Sequence, residues 1–89
     1  MVDYINTTEG LAELFRSKDD AMNGWVTLNG VADLRVLMPK VERLARERAV
    51  TSILVDVRST RLEIASMIEL GYTYVRSKQN TTVFAKILK

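Results

Sequence analysis

The 89-residue sequence contains neither cysteine nor histidine. Without cysteine, a secreted domain built on disulfides is excluded. Without histidine as well, neither a Ser-His-Asp nor a Cys-His catalytic site can form within the chain, and zinc lacks its usual ligands. Hydrolysis by two carboxylates and a magnesium site with oxygen ligands remain open, but neither has a motif here. The sequence therefore predicts no catalytic residue and no metal site.

Long apolar runs and a strong net charge are also missing. No apolar stretch approaches the roughly 20 residues of a membrane helix, and Met1–Tyr4 lacks the basic and apolar regions of a signal peptide. We therefore expect a cytoplasmic protein that has no membrane partner. The net charge of +2 is too small to indicate a polyanionic partner. A chain of this length predicts one domain over residues 1–89, with a small core to which a partner subunit would add.

The first 23 residues predict a strand and a helix ahead of a core formed by residues 24–89. Val2–Ile5 has the composition of a short strand. Asn6 and Glu9 have the spacing of a capping box, and the apolar residues that follow recur mostly at helical intervals. Because Asn23-Gly24 is typical of a helix end, we predict a helix over residues 8–22.

The next segment predicts a strand and the longest helix. The strand Trp25–Leu28 is closed by the turn signal Asn29-Gly30. Asp33 is a suitable N-cap for a helix over residues 32–48. Its apolar residues share one stripe: Leu34, Leu37, Met38, Val41, Leu44 and Ala45. Because this stripe continues in phase across Pro39, we favour one helix bent there; the alternative is a helix that begins at Pro39.

The second half alternates strands with one more helix. The continuous apolar run of Thr51–Val57 is typical of a buried strand, and the helix Thr60–Leu70 is closed by Gly71 as a C-cap. Strands over 72–77 and 81–88 then form a terminal hairpin. This order predicts an α/β fold with a mixed sheet of four to five strands and three helices.

Two segments of this half, Glu47–Val57 and Ile64–Tyr72, resemble the C-terminal half of the GNAT (acyl-CoA N-acyltransferase) family. Leu70-Gly71-Tyr72 matches that family's Leu-Gly-aromatic step, and Thr82–Leu88 resembles its closing strand. The whole stretch from Gly24 to Leu88 is similar to small tailed-bacteriophage proteins that carry reduced versions of this fold. The resemblance implies the strand order 25–29, 51–57, 81–88, 72–77.

The sequence departs from the family at its functional positions. In GNAT enzymes a Gly-rich turn at the start of the long helix holds the acyl-CoA pyrophosphate on free backbone N–H groups. Here residues 32–40 contain no glycine, Asp33 would repel phosphate, and Gly30 is the only glycine nearby. Met67 takes the place of the tyrosine that acts as general acid, and most of the family's N-terminal half has no counterpart. We therefore expect no cofactor and no acetyl-CoA turnover.

Two sets of residues are predicted as binding sites. Arg58 and Arg61 follow the carboxyl end of the central strand and flank a helix N-terminus at Thr60, which together suit an anion. The alternative is that Arg58 pairs with Asp56 or Glu63.

The second predicted set is an interface at Trp25, Val26 and Leu28. The resemblance places their strand at a sheet edge, and nothing from Gly24 to Gly30 is charged. An uncovered edge of this kind needs a cover, either from the strand Val2–Ile5 or from a second chain in a twofold homodimer, and we favour the dimer.

These observations favour a non-enzymatic structural or interaction protein of phage origin on a reduced acyltransferase scaffold. A small acyl-CoA-dependent N-acetyltransferase is one alternative. The other is a weak nucleic-acid-binding module, in which Tyr4, Tyr72 and Tyr74 would stack on bases. Because no basic surface surrounds these tyrosines, we do not expect nucleic acid as a partner.

Overall fold

The computed structural model describes residues 1–31 and 33–88, which form a mixed α/β fold. Six strands make one sheet in the order β1-β2-β3-β4-β6-β5, and two helices accompany it in the described residues. The α/β class is confirmed. The predicted numbers of four to five strands and three helices were wrong, since the described residues form six strands and two helices. The elements are β1 Val2–Thr7, β2 Gly10–Ser17, β3 Asp20–Asn29, α1 Leu34–Glu47, β4 Ser52–Arg58, α2 Arg61–Glu69, β5 Thr73–Ser77 and β6 Thr81–Ile87.

The helix predicted over residues 8–22 is wrong, because this segment forms two antiparallel hairpins. The presumed capping box is a tight turn, in which the N–H of Glu9 donates to Oγ1 of Thr7 at 3.1 Å. A second turn follows β2, where the N–H of Asp19 donates to Oγ of Ser17 at 3.2 Å. The strand pairing makes side chains alternate between the two sheet faces, and Leu14 accordingly points into the core.

The extra hairpins also change the place of the Trp25 strand. β3 extends from Asp20 to Asn29 and lies between β2 and β4, so it is an internal strand and the predicted edge does not exist. The strand predicted at Val2–Ile5 is confirmed as β1, but it covers β2 instead of β3.

The long helix predicted over residues 32–48 forms as one unit, Leu34–Glu47, and the predicted start at residue 32 lies outside the described residues. Its N-cap is Asp33, whose Oδ1 accepts a hydrogen bond from the N–H of Arg35 at 2.9 Å. Pro39 lies inside α1, which rejects the alternative start at that residue. Since the side chain of Pro39 is exposed, the missing N–H lies on the solvent side of the helix.

The strand order that the resemblance implied is confirmed for β3, β4, β6 and β5. The helix before the hairpin ends as predicted, with Gly71 at φ +87°. The N–H of Gly71 donates to the carbonyl of Ile68, and the N–H of Tyr72 to that of Met67, both at 3.0 Å. These two bonds are a Schellman motif, and Tyr72 and Met67 are both buried beside it.

The hydrophobic core lies between one sheet face and the two helices. Phe84 and Val55 contribute from the sheet, Leu37 and Val41 from α1, and Met67 from α2. The opposite face of the sheet carries no helix in the described residues. None of the described helices is long and apolar enough to cross a membrane.

Candidate ligand cleft between two diverging strands

The central feature of the site is a gap in the middle of the sheet. The parallel strands β3 and β4 pair only from Asn23–Ser52 to Val26–Val55. Beyond that point β3 continues along β2 to Asn29, and β4 continues along β6 to Arg58. Because the two strands separate while each keeps its outer neighbour, the backbone groups that face each other across the gap have no ladder partner there.

A cavity of about 150 Å³ occupies this gap. It lies at the carboxyl ends of two parallel strands, the edge at which open α/β sheets bind ligands. Its walls come from both strands, from the loop before α1, from α2 and from the start of β6: Thr27, Leu28, Gly30, Val31, Asp56, Val57, Arg58, Glu63 and Thr81. The lining is thus mixed, with carboxylate, hydroxyl, guanidinium and apolar groups within one small volume.

Asp56 brings to the cleft a carboxylate with one oxygen left for a ligand. Its Oδ1 atom is buried and has no hydrogen-bond partner within the described residues. Its Oδ2 atom lies 3.5 Å from Nζ of Lys78, which is itself 5.4 Å from the centre of the Trp25 ring. Since an ionised carboxylate accepts hydrogen bonds through both oxygens, Oδ1 can accept a proton or a hydrogen bond from a bound molecule.

The loop between β3 and α1 gives the cleft open space at one glycine. A Cβ built on Gly30 would meet nothing within 4 Å, and this residue has φ +63°. The N-terminus of α1 is less open to an anion, because the Asp33 carboxylate already accepts from the N–H of Arg35. A phosphate at this helix start would therefore meet the negative charge of Asp33, and the N–H of Arg35 already has an acceptor.

The predicted anion site is only partly assembled. Arg58 lines the cleft, whereas Arg61 and Thr60 are exposed at the start of α2. Thr60 is the N-cap of α2, and its Oγ1 accepts from the N–H of Glu63 at 3.2 Å. The alternative pairing of Arg58 is not observed, since Asp56 pairs with Lys78, and neither arginine makes a salt bridge within residues 1–31 and 33–88.

No tyrosine offers a proton in the cleft. Met67, at the position of the family's general acid, is fully buried in the core. The hydroxyl of Tyr72 is buried and donates to Oε2 of Glu42 at 2.8 Å. Burial, and then this hydrogen bond to a carboxylate, raise the pKa of Tyr72 well above its ordinary value. Tyr72 therefore stays protonated and serves the core.

The three residues predicted as an interface do not share one surface. Val26 is fully buried on the helix side of the sheet, so it cannot contact a partner in the folded chain. Leu28 is half-buried and lines the cleft. Trp25, also half-buried, lies on the face without helices.

Sequence reasoning missed Thr27, Asp56 and Thr81 as parts of one site. Asp56 was read only as a pairing partner for Arg58. The available signal was a carboxylate close to the carboxyl end of a buried parallel strand.

No family model and no curated protein matches the chain. Among solved structures, the chain is similar to yncA, a putative acetyltransferase from Salmonella typhimurium with its cofactor acetyl-CoA. The sequence identity is 17% and the TM-score is 0.67, over 91% of this chain and 58% of that one. The Campylobacter jejuni N-acetyltransferase PseH in complex with acetyl coenzyme A is similar at 8% identity and a TM-score of 0.66, over 90% and 60%. A GNAT-family acetyltransferase from Listeria monocytogenes is similar at 16% identity and 0.54, over 86% and 57%.

These similarities show a GNAT-like fold, and the chain spans about three fifths of the length of those proteins. The resemblance to that fold is thereby confirmed. The similarity to phage proteins has no counterpart among these structures and stays a prediction. Because two of the similar structures are described with acetyl-CoA, the comparisons give no support to the expected absence of a cofactor.

Proposed function

Starting from a fold shared with acetyltransferases, we propose that this chain binds an acyl-CoA in the cleft between β3 and β4. The observation that carries the proposal is the divergence of these strands after Val26 and Val55, which leaves unpaired backbone groups facing a cavity. The comparisons favour this function over the non-enzymatic role that the sequence suggested.

The residues of the cleft fit the acyl end of such a ligand. Free backbone groups on both walls suit an extended chain that contains amides, because they can form the hydrogen bonds of a strand. The open space at Gly30 lets the ligand approach the backbone closely. For the phosphate end, the chain offers Arg58 at the cleft and Arg61 nearby in place of a Gly-rich turn.

An acyl-CoA in this cleft would supply an activated acyl group as a thioester. Asp56 is placed to take the proton that an attacking amine loses as its N–C bond forms, because its Oδ1 has no other partner. Met67 gives no proton to the sulfur that leaves. A thiol has an ordinary pKa of about 8.5, so its sulfur can leave as the thiolate without a donor. The residues of the cleft therefore support two proposals: binding of the acyl-CoA, and acyl transfer to an amine with Asp56 as the general base.

Calorimetric titration of the chain with acetyl-CoA tests the binding. We expect a dissociation constant in the micromolar range, about −8 kcal/mol. Thr27→Trp should abolish binding, because the larger ring fills the cavity. Thr73→Trp is the matched control, since Thr73 is exposed on β5 outside the cleft. No measurable heat from the unmodified chain, or an equal effect of both substitutions, would refute the site.

Transfer is tested separately by thiol release in the presence of a primary amine. Asp56→Asn should keep acetyl-CoA binding and lose release by at least about 100-fold, the usual contribution of a positioned general base. Asp19→Asn, at an exposed turn, should leave both unchanged. If Asp56→Asn binds and releases thiol like the unmodified chain, Asp56 is not the base, while the proposed binding site stands.

A further inference from the structure

The sheet face opposite the helices carries an apolar row that crosses five strands. Paired residues in a sheet point to the same face, so the register identifies its members. They are Val2 on β1, Phe15 on β2, Trp25 on β3, Leu54 on β4 and Ala85 on β6. Their neighbours along the strands, such as Val26 and Val55, point to the helices instead. The row is thus a second apolar surface, separate from the core.

This face is open to solvent in the described part of the chain. Phe15, Trp25 and Leu54 border a shallow concavity of about 710 Å³. Around it Val2 is 40% exposed, Tyr4 66% and Ile87 71%. A contiguous apolar surface with polar surroundings is typical of a protein-binding site.

The neighbouring row gives the face a pattern of charge. The next residues on this face are Tyr4, Glu13 and Thr27 on β1 to β3, and Asp56, Val83 and Arg76 on β4, β6 and β5; Thr27 and Asp56 line the cleft between the two groups. The acidic Glu13 thus lies on the β1 side and the basic Arg76 at the opposite margin. Nζ of Lys78 lies over the Trp25 ring near the centre of the face, where it pairs with Asp56 at 3.5 Å.

We infer that a second copy of this chain packs on this face about a twofold axis parallel to the strands. Such an axis places β1 over β5 and β2 over β6, since the sheet order is β1-β2-β3-β4-β6-β5. Glu13 of each copy then lies near the margin that holds Arg76 of the other, and the apolar rows stack at the centre. The charge pattern is complementary to itself, which selects a second copy over a partner of one charge.

The size of the face agrees with a dimer of modest strength. With strands about 4.8 Å apart and a rise of about 3.3 Å per residue, a face of six strands and roughly seven residues has a flat outline with an area on the order of 500 Å². A specific interface buries about 800 Å² of accessible surface on each partner, and accessible surface exceeds an outline because side chains protrude from it. We therefore expect dissociation in the micromolar range.

Sedimentation equilibrium of the full chain tests the dimer. Leu54→Glu should weaken it by at least about tenfold, because a carboxylate would be buried at the centre of the apolar row. Ile68→Glu is the matched control, since Ile68 is 60% exposed on α2, on the other side of the sheet. Circular dichroism checks that both variants fold. A chain that stays monomeric overturns the proposal and assigns the face to another protein, and so does equal weakening by both substitutions.

A charge exchange tests the orientation of the two copies. Glu13→Lys alone and Arg76→Glu alone should each weaken self-association, because each sets like charges opposite one another. Mixing the two variants should restore association as a heterodimer, since opposite charges then meet at both of the symmetric contacts. If mixing restores nothing while the unmodified chain dimerises, the twofold arrangement parallel to the strands is wrong.

Discussion

Replacing Lys86 by methionine should destabilise the fold through a carboxylate on α1. The side chain of Glu42 is only 8% exposed, and Nζ of Lys86 lies 3.2 Å from both of its oxygens. The same ammonium donates to the carbonyl of Leu70 at 2.8 Å. The hydroxyl of Tyr72, two residues after Leu70, donates to Glu42. One ion pair therefore connects α1, β6 and the end of α2.

The magnitude follows from what Glu42 keeps after the substitution. Removing one partner of a buried ion pair costs about 3–5 kcal/mol, since a buried charge is left without compensation. Here the Tyr72 hydroxyl remains, Arg46 lies 3.7 Å away, and Lys86 is itself 25% exposed. We therefore expect a loss of about 2–3 kcal/mol in the free energy of unfolding, or about 10–20 °C in Tm for a chain of this size.

Urea unfolding followed by circular dichroism measures this loss. Lys40→Met is the control, because its pair with Glu9 at 3.1 Å is exposed and screened by solvent, so its loss should cost far less stability. The double variant Glu42→Met with Lys86→Met should recover part of the loss, since no unpaired charge is then buried. The reasoning is refuted if Lys86→Met loses no more stability than Lys40→Met.

Three further predictions each test a single feature. Burial and the hydrogen bond to Glu42 raise the pKa of Tyr72, so the folded phenol stays protonated where the unfolded phenol ionises, and stability should fall as pH rises above about 10. Urea midpoints between about pH 8 and pH 11 should fall less in Tyr72→Phe, and equal slopes would contradict this. Ala49 has φ +60°, so Ala49→Gly should stabilise the fold by about 1 kcal/mol in thermal unfolding. The control Ala65→Gly, at an exposed position of α2, should destabilise the fold by a similar amount. A loss of stability in both variants would contradict the argument that Ala49 is strained. Pro39→Ala should raise the free energy of unfolding in urea by about 1–3 kcal/mol by restoring an N–H inside α1. A lower free energy would show that the stiffening of the unfolded chain by Pro39 matters more.

The second half of the chain was predictable because its signals agree with one another. Asp33 caps α1, Thr60 caps α2, and Gly71 takes the left-handed conformation after it. The apolar run of β4 is buried by a sheet neighbour on each side and by helices on one face. Local capping chemistry and burial therefore pointed to the same elements.

The first half was misread because short amphipathic strands and helices share spacings. Leu11, Leu14 and Phe15 fit a helical stripe, yet Leu14 points to the core while Phe15 lies on the opposite face. The signal against a helix was Gly10, which has φ +135° and lies so close to the later loop that a Cβ would be 2.8 Å from Cα of Val31. A helix cannot hold that conformation, but a hairpin strand can.

The cleft could not be predicted from residue types, because backbone divergence creates it. Arg58 lines the cleft at the carboxyl end of β4, the position that its place in the sequence predicted. Which neighbour lies across the edge depends on β3, and β3 becomes an internal strand only through the hairpins that precede it. Asp56 faces a cavity with a free oxygen because β3 leaves β4 after Val26. The same hairpins that sequence periodicity missed therefore build one wall of the cleft, and they also carry Phe15 and Glu13 onto the open face.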